Sequence, residues 1–308
     1  MDCFLFFNCR KSVSRAIIGT DPFSALSEGL ASEILSRTSP RDVCRSSAIS
    51  KGFKSFADSN NVWDRFLPSD HREILSKSVY SVDFSSKKKL YFHLVNSYIL
   101  LDGGKLSFSL DKASGKKCFM LGARELAIEC ERKPVKWTWR CLPQSRFSEV
   151  AGLEAVPWFD ITGKIEARLL SPKPTYVAYL VFNILRPQNS RDNYVVPAKA
   201  SVRFDGERGD GDGDGDGDEI TNIVSLTIRP FRSDGQFAQQ RVDNWMETEL
   251  GEFFNGQGDT GEIEMRLMGD VRLMGDFEGH YWSYSMLPHW TYDIFIKGIE
   301  LRLKSISE

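Results

Sequence analysis

The 308-residue sequence has little of several features that would assign a function directly. It has 40 Lys and Arg against 42 Asp and Glu, so it lacks the basic excess of proteins that bind nucleic acid through bulk charge. No apolar run approaches the ~20 residues of a membrane span. We therefore expect neither a nucleic-acid partner nor a membrane partner. A hydrophobic content of 41% and this length instead predict a soluble globular protein with two domains.

The sequence also lacks the residue spacings of metal sites and disulfide frameworks. None of the six cysteines forms a CxxC pair, and none of the four histidines flanks them at zinc-ligand spacing. We expect no metal and no cofactor. Scattered thiols in a chain of this length, with no Asn-x-Ser/Thr sequon, predict reduced cysteines and a cytoplasmic or nuclear location. Residues 1–20 are interpreted as an extension, with lipidation of Cys3 or Cys9 as an alternative.

Catalytic fingerprints are missing as well. The sequence contains no HExxH, P-loop, GxSxG or Rossmann motif. Its acidic residues form no cluster that differs from a solvated surface. The sequence therefore predicts a protein without enzymatic activity of its own.

Residues 21–67 have the periodicity of short helices. Ser39, Pro40 and Asp42 form a helix start, with a capping serine, a proline in the first turn and an acidic partner. Apolar residues ahead of it recur at i, i+4, i+8 and i+9, and are Leu26, Leu30, Ile34 and Leu35. We predict three helices with a surplus apolar stripe that fits a partner's groove. The alternative is that the stripe only closes the core of this small module.

Residues 68–117 are interpreted as a connector with some helix. The run Ser85–Lys89 contains three consecutive lysines. It predicts a solvated helix face, with a nuclear-localisation signal as the alternative.

From about residue 118 the apolar period changes to two, which predicts strands. Ile263, Met265 and Leu267 alternate with charged residues, and Tyr176–Ile184 is apolar on both faces, as in a central strand. The apolar parity switches in the last predicted strand, so we expect a β-bulge near Gly298. The fold class predicted is α+β, with a helical module followed by an antiparallel β-sandwich over residues 118–304.

The five Gly-Asp units in the 206–219 loop suggest calcium at first sight. An EF-hand loop opened there would place Thr221 or Ile223 where a bidentate glutamate is needed. We interpret the segment as a flexible solvated loop, with weak cation binding as the alternative. The aromatic runs His280–Trp282 and His289–Trp290 fit either a ligand rim or a fold-closing role.

The residues around the helix start resemble a plant F-box. The resemblance rests on the runs Leu26–Ser36 and Thr38–Arg45 and on Val62–Trp63. It implies that the module docks on the Skp-type adaptor of a cullin-based ubiquitin ligase. The positions that match the docking face are Leu26, Leu30, Ile34, Leu35, Pro40 and Val43.

The remainder resembles the phloem protein two family, whose lectin domain is of the Nictaba type. Among the runs that carry the resemblance are Ser107–Cys118, Gly122–Ile128, Ser145–Ala151, Trp158–Ile165 and Lys297–Arg302. The family implies a jelly-roll-like sandwich and, in its lectins, binding of N-acetylglucosamine oligomers or N-glycan cores. The sequence departs from the lectins in having Cys130 at the first of two sugar-linked tryptophans, whereas Trp137 matches the second.

The carbohydrate- or client-binding residues implied by this resemblance are Trp137, Trp139, Arg124 and Glu125. An alternative is that the two tryptophans are packing residues. The function predicted is substrate recognition in an SCF-type cullin-RING ubiquitin ligase, with the sandwich binding a client protein or glycoprotein. Two alternatives remain, a stand-alone carbohydrate-binding lectin and a protein-interaction module without sugar binding.

Overall fold

A computed structural model describes residues 27–130, 137–154, 158–185, 197–204, 222–226, 236–256, 261–270 and 293–304. Leu26, the Gly-Asp loop and the two His-Trp runs lie outside these ranges. The chain divides into two compact units. A helical unit contains the chain up to Ser76 together with Val82–Asn96, and a β unit contains Lys77–Ser81 and the chain from Ser97 onward.

Six helices build the described part of the helical unit. They are α1 (Glu28–Ser36), α2 (Pro40–Ser46), α3 (Lys51–Asp58), α4 (Asn60–Asp64), α5 (His71–Ser76) and α6 (Lys87–Asn96). Serine hydroxyls begin the first three, because Ser27, Ser39 and Ser50 each accept a hydrogen bond from the amide three residues on. Ser39 also donates to the Asp42 carboxylate at 2.7 Å, so the helix start predicted at this point is confirmed.

Trp63 is the centre of the helical core. The ring is fully buried, and its Nε1 donates to the Ala57 carbonyl at 2.6 Å. Tyr91 and Phe92 of α6 approach the ring with centroids at 5.3 and 5.2 Å. A short module of three helices buries little apolar surface, and α6 supplies the aromatic partners that complete this core.

The segment interpreted as a connector therefore contributes to both units. Helices α5 and α6 join the helical unit, whereas Lys77–Ser81 and the chain after Asn96 join the β unit. Two of the three lysines at the start of α6 are held in ion pairs, Lys87 with Asp64 at 3.2 Å and Lys88 with Asp58 at 2.7 Å. These two side chains tie α6 to α3 and α4.

Fifteen strands are described in the β unit. They are β1 (Ile99–Leu101), β2 (Leu106–Leu110), β3 (Lys117–Gly122), β4 (Ala127–Cys130), β5 (Trp137–Arg140), β6 (Val150–Glu154), β7 (Trp158–Glu166), β8 (Thr175–Leu185), β9 (Pro197–Phe204), β10 (Asn222–Ser225), β11 (Gln236–Phe237), β12 (Gln239–Gln240), β13 (Met246–Phe254), β14 (Glu262–Asp270) and β15 (Asp293–Leu303).

These strands form two sheets. The first has the order β1-β2-β3-β15-β8-β13-β12, and β6 pairs with the first half of β15 on the side where β3 pairs with its second half. Strand β5 pairs with β6. The second sheet has the order β11-β10-β9-β14-β7-β4. Every pairing is antiparallel except that of β10 with β11, among the described strands.

The two sheets face each other. Ile299 of β15 approaches Gly163 of β7, and Val202 of β9 approaches Gly251 of β13. The predicted α+β class with an antiparallel sandwich is confirmed, and β8 is a central strand of the first sheet as predicted. The register of β15 shifts between Ile296 and Gly298, which confirms the predicted bulge.

The first sheet also carries a second apolar layer on the face turned away from the other sheet. Phe295 of β15 alternates with Ile294 and Ile296, and so it lies on this outer face. A buried cluster surrounds it, made of Met120, Phe147, Val150, Val181, Trp245 and Phe295. Both faces of this sheet are therefore partly covered by the chain's own residues.

Beside this cluster lies a network of buried charges. The Glu300 carboxylate is shared by Arg146, at 3.1 Å, and Arg241, at 2.6 Å. Glu247 accepts from Arg241 at 2.5 Å, and the side chains of all four residues are less than 15% exposed. Lys297 is buried against Trp245 and pairs with Asp243 at 2.9 Å. Such a network needs every charge paired, because a buried ion without a partner is costly.

Candidate functional site

Helix α1 exposes two apolar side chains on one face. Leu30 and Ile34 stand four residues apart and are 51% and 50% exposed. Ala31 and Leu35 each follow one of them and are buried, since the next position lies about 100° around the helix. The helix thus has one apolar stripe inside the unit and a second one outside it.

The residues predicted for adaptor docking divide into two groups. Leu30 and Ile34 are available at the surface, whereas Leu35 and Val43 are buried in the helical core. Pro40 is partly buried in the first turn of α2. Leu35 and Val43 therefore belong to the core beneath α1, and of the six predicted residues Leu30 and Ile34 are the two that the described structure places at the surface.

A cluster of charges fixes the orientation of α1. Both terminal nitrogens of the Arg65 guanidinium donate to the Glu33 carboxylate, at 3.1 and 2.6 Å, and Arg37 donates to it from the next turn. The Arg37 hydrogen bond and the charges of both arginines hold the pKa of Glu33 below its usual value. Since Arg65 caps α4, this pair connects α1 to the helix that carries Trp63.

The second candidate site is a tryptophan surface on the β unit, formed by Trp139, Arg124 and Glu149. The Arg124 guanidinium lies 3.6 Å from the centre of the Trp139 ring, and its Nε and Nη2 donate to Glu149 at 3.0 and 2.7 Å. Trp139 is 38% exposed. The stacked arginine covers one face of the ring and is itself held in place by the carboxylate.

Local structure explains why these three side chains meet. Arg124 follows the buried Ala123 in a 3-10 turn, so it points outward at the end of β3. Glu149 directly precedes the buried Val150 at the start of β6. Strand β5 pairs with β6, which brings Trp139 beside this point.

The other predicted client-binding residues lie elsewhere or outside the described side chains. Glu125 pairs with Lys105 at 3.0 Å and makes no described contact with the tryptophan surface. Trp137 begins β5, and its side chain is outside the described part of the structure. Glu149 was not predicted as a site residue, although it lies in one of the runs that carry the family resemblance. It is 25 residues from Arg124 in the sequence, and no local pattern indicates that the two side chains pair.

The two positions compared with lectin tryptophans lie on different sheets. Cys130 ends β4 and pairs with Phe159 in the second sheet, whereas Trp137 pairs with Leu153 in the first. The two positions that the resemblance matches to lectin tryptophans therefore lie in opposite sheets of the sandwich.

A shallow groove of ≈ 230 Å³ lies on the second sheet. Its lining side chains are polar or small, and they are Ala127, Glu129, Asp160, Thr162, Glu264 and Arg266. Asp160 is nearly buried and accepts from Arg266 at 3.0 Å. Two of the groove's carboxylates are therefore paired, Asp160 with Arg266 of the lining and Glu264 with Lys164 outside it, at 3.0 Å.

The described residues contain no group of His, Cys, Asp and Glu that could hold a metal ion. Among the helices of the described ranges, none has the length and apolar character to cross a membrane.

Comparison with known proteins assigns the two units separately. Residues 23–65 match the F-box domain, and residues 116–303, more than half of the chain, match Phloem protein 2. The helical unit continues past the F-box match through α5 and α6, and the β unit begins before the second match with β1 and β2.

Relatives in Arabidopsis thaliana share this organisation over most of their length. F-box protein PP2-B10 is 40% identical over 256 residues, which cover 82% of this chain and 89% of that protein. F-box protein PP2-B1 is 33% identical over 328 residues, covering 94% and 91%. The match to the xylan-binding domain CBM22-1 of Paenibacillus barcinonensis Xyn10C covers 60% of this chain and 90% of that domain, at 9% identity. Its TM-score of 0.27 is too low to support an argument. The chain belongs to the phloem protein 2 family, as an F-box protein in which a helical F-box domain precedes a phloem protein 2 domain.

Proposed function

We propose that this protein is the substrate-recognition subunit of an SCF-type cullin-RING ubiquitin ligase. The helical unit docks the Skp-type adaptor that an F-box domain implies, and the β unit holds the client. The chain supplies proximity to the ligase chemistry and no catalytic group of its own. It works in the cytoplasm or the nucleus.

The observation that supports docking is the exposed pair on α1. Burying a leucine or isoleucine side chain completely is worth about 1.5–3 kcal/mol. Leu30 and Ile34 are each half exposed, so a partner's groove that covers both gains about half of that from each. An amphipathic helix with this spacing suits an apolar groove on a helical partner.

Point substitutions test docking more cleanly than truncation. Removing residues 1–67 would take away Trp63 and leave the aromatic side chains of α6 without their core. The double variant Leu30→Asp/Ile34→Asp changes two surface residues instead. We expect it to lose capture of the full chain by a purified Skp-type adaptor, with the far-UV spectrum and Tm unchanged.

Val242→Asp is the matched control. Val242 is fully exposed in the β unit, so it receives the same chemical change away from the docking helix. Adaptor capture should equal that of the wild-type chain. Equal capture by the double variant would reject docking through α1.

For the client we propose the tryptophan surface. Tryptophan and arginine are enriched among the residues that dominate binding at protein interfaces, and here a partly exposed tryptophan stacked with arginine offers an apolar face with fixed charges at its edge. This arrangement favours binding of a client protein. An N-glycan with N-acetylglucosamine on the client is the second ligand class, since aromatic rings also stack on the apolar face of sugars.

Two substitutions test the tryptophan surface, and a titration separates the ligand classes. Trp139→Ala should remove client capture, whereas Glu125→Gln, on the neighbouring exposed ion pair, should retain it. Titration with N-acetylglucosamine oligomers followed by calorimetry identifies the sugar class directly. Glycan binding without adaptor capture would indicate a stand-alone lectin, and client capture with no glycan binding would indicate a protein-interaction module.

A further inference from the structure

One loop of the β unit connects the tryptophan surface to the buried cluster on the first sheet. The loop covers residues 141–149, between β5 and β6, and is called the strap below. Its last residue is Glu149, whose carboxylate accepts from Arg124. Its Phe147 ring is 4% exposed and belongs to the buried cluster around Phe295. The strap therefore has one end at the tryptophan surface and one side chain inside the unit.

The Phe147 ring lies directly against the last residue of β3. A Cβ built on Gly122 would lie 3.0 Å from ring atom Cδ1, which is closer than side chains ordinarily pack. Gly122 also begins the turn that carries Arg124 two residues later. One side chain of the strap thus contacts the turn that supplies Arg124, while the end of the strap supplies Glu149.

Strand pairing brings Arg124 near Trp139 but does not stack the two side chains. Trp139 pairs with Ala151 across the β5–β6 ladder, two residues beyond Glu149, so Trp139 and Glu149 have a fixed relation. The described partners of β3 are β2 and β15, so Arg124 has no such ladder to β5 or β6. The Arg124–Glu149 pair has side chains 43% and 33% exposed, and exposed pairs contribute little to stability. The buried ring is the contact that can hold the turn in place.

Arg146, the neighbour of Phe147, fixes the strap to the first sheet. Its guanidinium is 14% exposed, pairs with the Glu300 carboxylate at 3.1 Å and donates to the Ser107 hydroxyl at 3.2 Å. These two partners lie on β15 and β2. Because the strap has this second attachment, a change at Phe147 should displace the turn after β3 and leave the strap in place.

We propose that Phe147 is a positioning residue of the tryptophan surface. Its ring holds the turn after β3 at a fixed distance from the strap, so that Glu149 orients the Arg124 guanidinium over the Trp139 ring. A shorter side chain would leave a space beside Gly122, into which the turn would relax. The guanidinium would then leave the ring, and the surface would lose its preorganisation for binding. This role rests on the proposed function insofar as a client binds at the tryptophan surface.

Fluorine NMR of the full chain labelled with fluorotryptophan tests this role without any ligand. The chain has seven tryptophans, and the spectrum of Trp139→Phe assigns the Trp139 resonance by its absence. Arg124→Met keeps an apolar side chain and removes the guanidinium, so it gives the resonance position of the unstacked ring. In Phe147→Leu we expect the Trp139 resonance to move at least half of the way to that position. A resonance that stays at the wild-type position would overturn the proposal.

Phe108→Leu is the matched control for the loss of a buried ring. Phe108 is 1% exposed and packs on Phe119. It follows Ser107, the strap's partner, and so faces the other side of the sheet. The control should lower the Tm to an extent similar to Phe147→Leu and leave the Trp139 resonance in place. Equal displacement of the resonance in the two variants would show a loss of stability alone and would overturn the positioning role.

Gly122→Ala approaches the same contact from the other side. It keeps the Phe147 ring and adds a methyl group 3.0 Å from it, so the ring and the turn must move apart. The Trp139 resonance should therefore shift although no aromatic ring has been removed. An unmoved resonance in folded Gly122→Ala would also overturn the proposal, and this variant supplies the test if Phe147→Leu does not fold.

Titration with N-acetylglucosamine oligomers adds a binding readout that depends on the proposed function. If the wild-type chain binds them, Phe147→Leu should raise the Kd several-fold, whereas Phe108→Leu should not. An equal Kd in the two variants would overturn the role of Phe147 in binding. If the wild-type chain binds no oligomer, the sugar class of the proposed function fails, and the NMR experiment still decides whether Phe147 positions Arg124.

Discussion

Replacing Glu300 by glutamine removes the carboxylate that Arg146 and Arg241 share on the outer face of the first sheet. The change keeps the size of the side chain and removes its charge. Arg241 retains Glu247 as a partner, whereas Arg146 retains the Ser107 hydroxyl and the Tyr98 ring, both neutral. The variant therefore leaves one buried guanidinium without a counter-ion.

Breaking a buried pair from one side costs roughly 3–5 kcal/mol. Because Arg241 keeps a partner, we place Glu300→Gln at the lower end, about 3 kcal/mol. For a unit of about 150–250 residues, each kcal/mol lowers the Tm by about 2–4 °C. Calorimetry of the full chain should therefore show the transition of the β unit lowered by about 6–12 °C.

Glu252→Gln is the matched control on the same sheet. Glu252 pairs with Lys304 at 2.5 Å, but both side chains are about half exposed, so the Tm should be nearly unchanged. A Tm loss in Glu300→Gln no larger than in Glu252→Gln would refute the view that the buried network stabilises the fold.

The difference in Tm between the wild type and Glu300→Gln should depend on pH, and the direction follows from the pKa of Glu300. Burial alone would raise the pKa of Glu300, but Arg146 and Arg241 hold it below the usual 4.5. A lowered pKa contributes stability above the unfolded value, and this contribution is lost as pH falls. The Tm gap between wild type and Glu300→Gln should therefore shrink below about pH 4.5.

Three further predictions concern single residues. Burial, with Asp111 and Glu300 nearby, raises the pKa of Cys118 to about 12, so iodoacetamide at pH 8 should label the exposed Cys141 before Cys118, as mass spectrometry of the folded chain would show; equal labelling of the two contradicts this. Gly298→Ala should destabilise the β unit by about 3 kcal/mol or more in urea unfolding, because its φ is +154° and a Cβ would lie 1.9 Å from the Leu121 carbonyl oxygen. Gly29→Ala, where a Cβ meets nothing within 4 Å, should instead stabilise the helical unit by about 0.5–1 kcal/mol; a loss would contradict the open space around α1.

Local chemistry explains which parts of the fold could be predicted from sequence. The Ser39 cap and the central strand around Tyr176–Ile184 depend on residues close together in the chain, and both are present. The bulge at Gly298 could be predicted because one extra residue in a strand is what moves its apolar side chains from one parity to the other. Patterns of period two and of 3.6 residues report such short-range features well.

Features that depend on distant partners could not be predicted in this way. The apolar stripe of α1 has the same pattern whether a residue faces the core, as Leu35 does, or solvent, as Ile34 does. Lys87 and Lys88 of α6 pair with Asp64 and Asp58, which lie 23 and 30 residues earlier. Glu149 meets Arg124 because β3 and β6 both pair with β15, which brings the start of β6 beside the turn after β3. Each contact follows from the tertiary fold and leaves no local periodic signal.

The position of β15 has a consequence for synthesis. It lies at the centre of the first sheet, between β8 on one side and β3 and β6 on the other, yet it is the last described strand in the sequence. A ribosome delivers the chain from its N-terminus, so β8, β3 and β6 emerge long before the strand that joins them. Until then they present bare edges, which invite pairing with other chains. A message truncated before β15 therefore yields a protein with an intact helical unit and an aggregation-prone β unit.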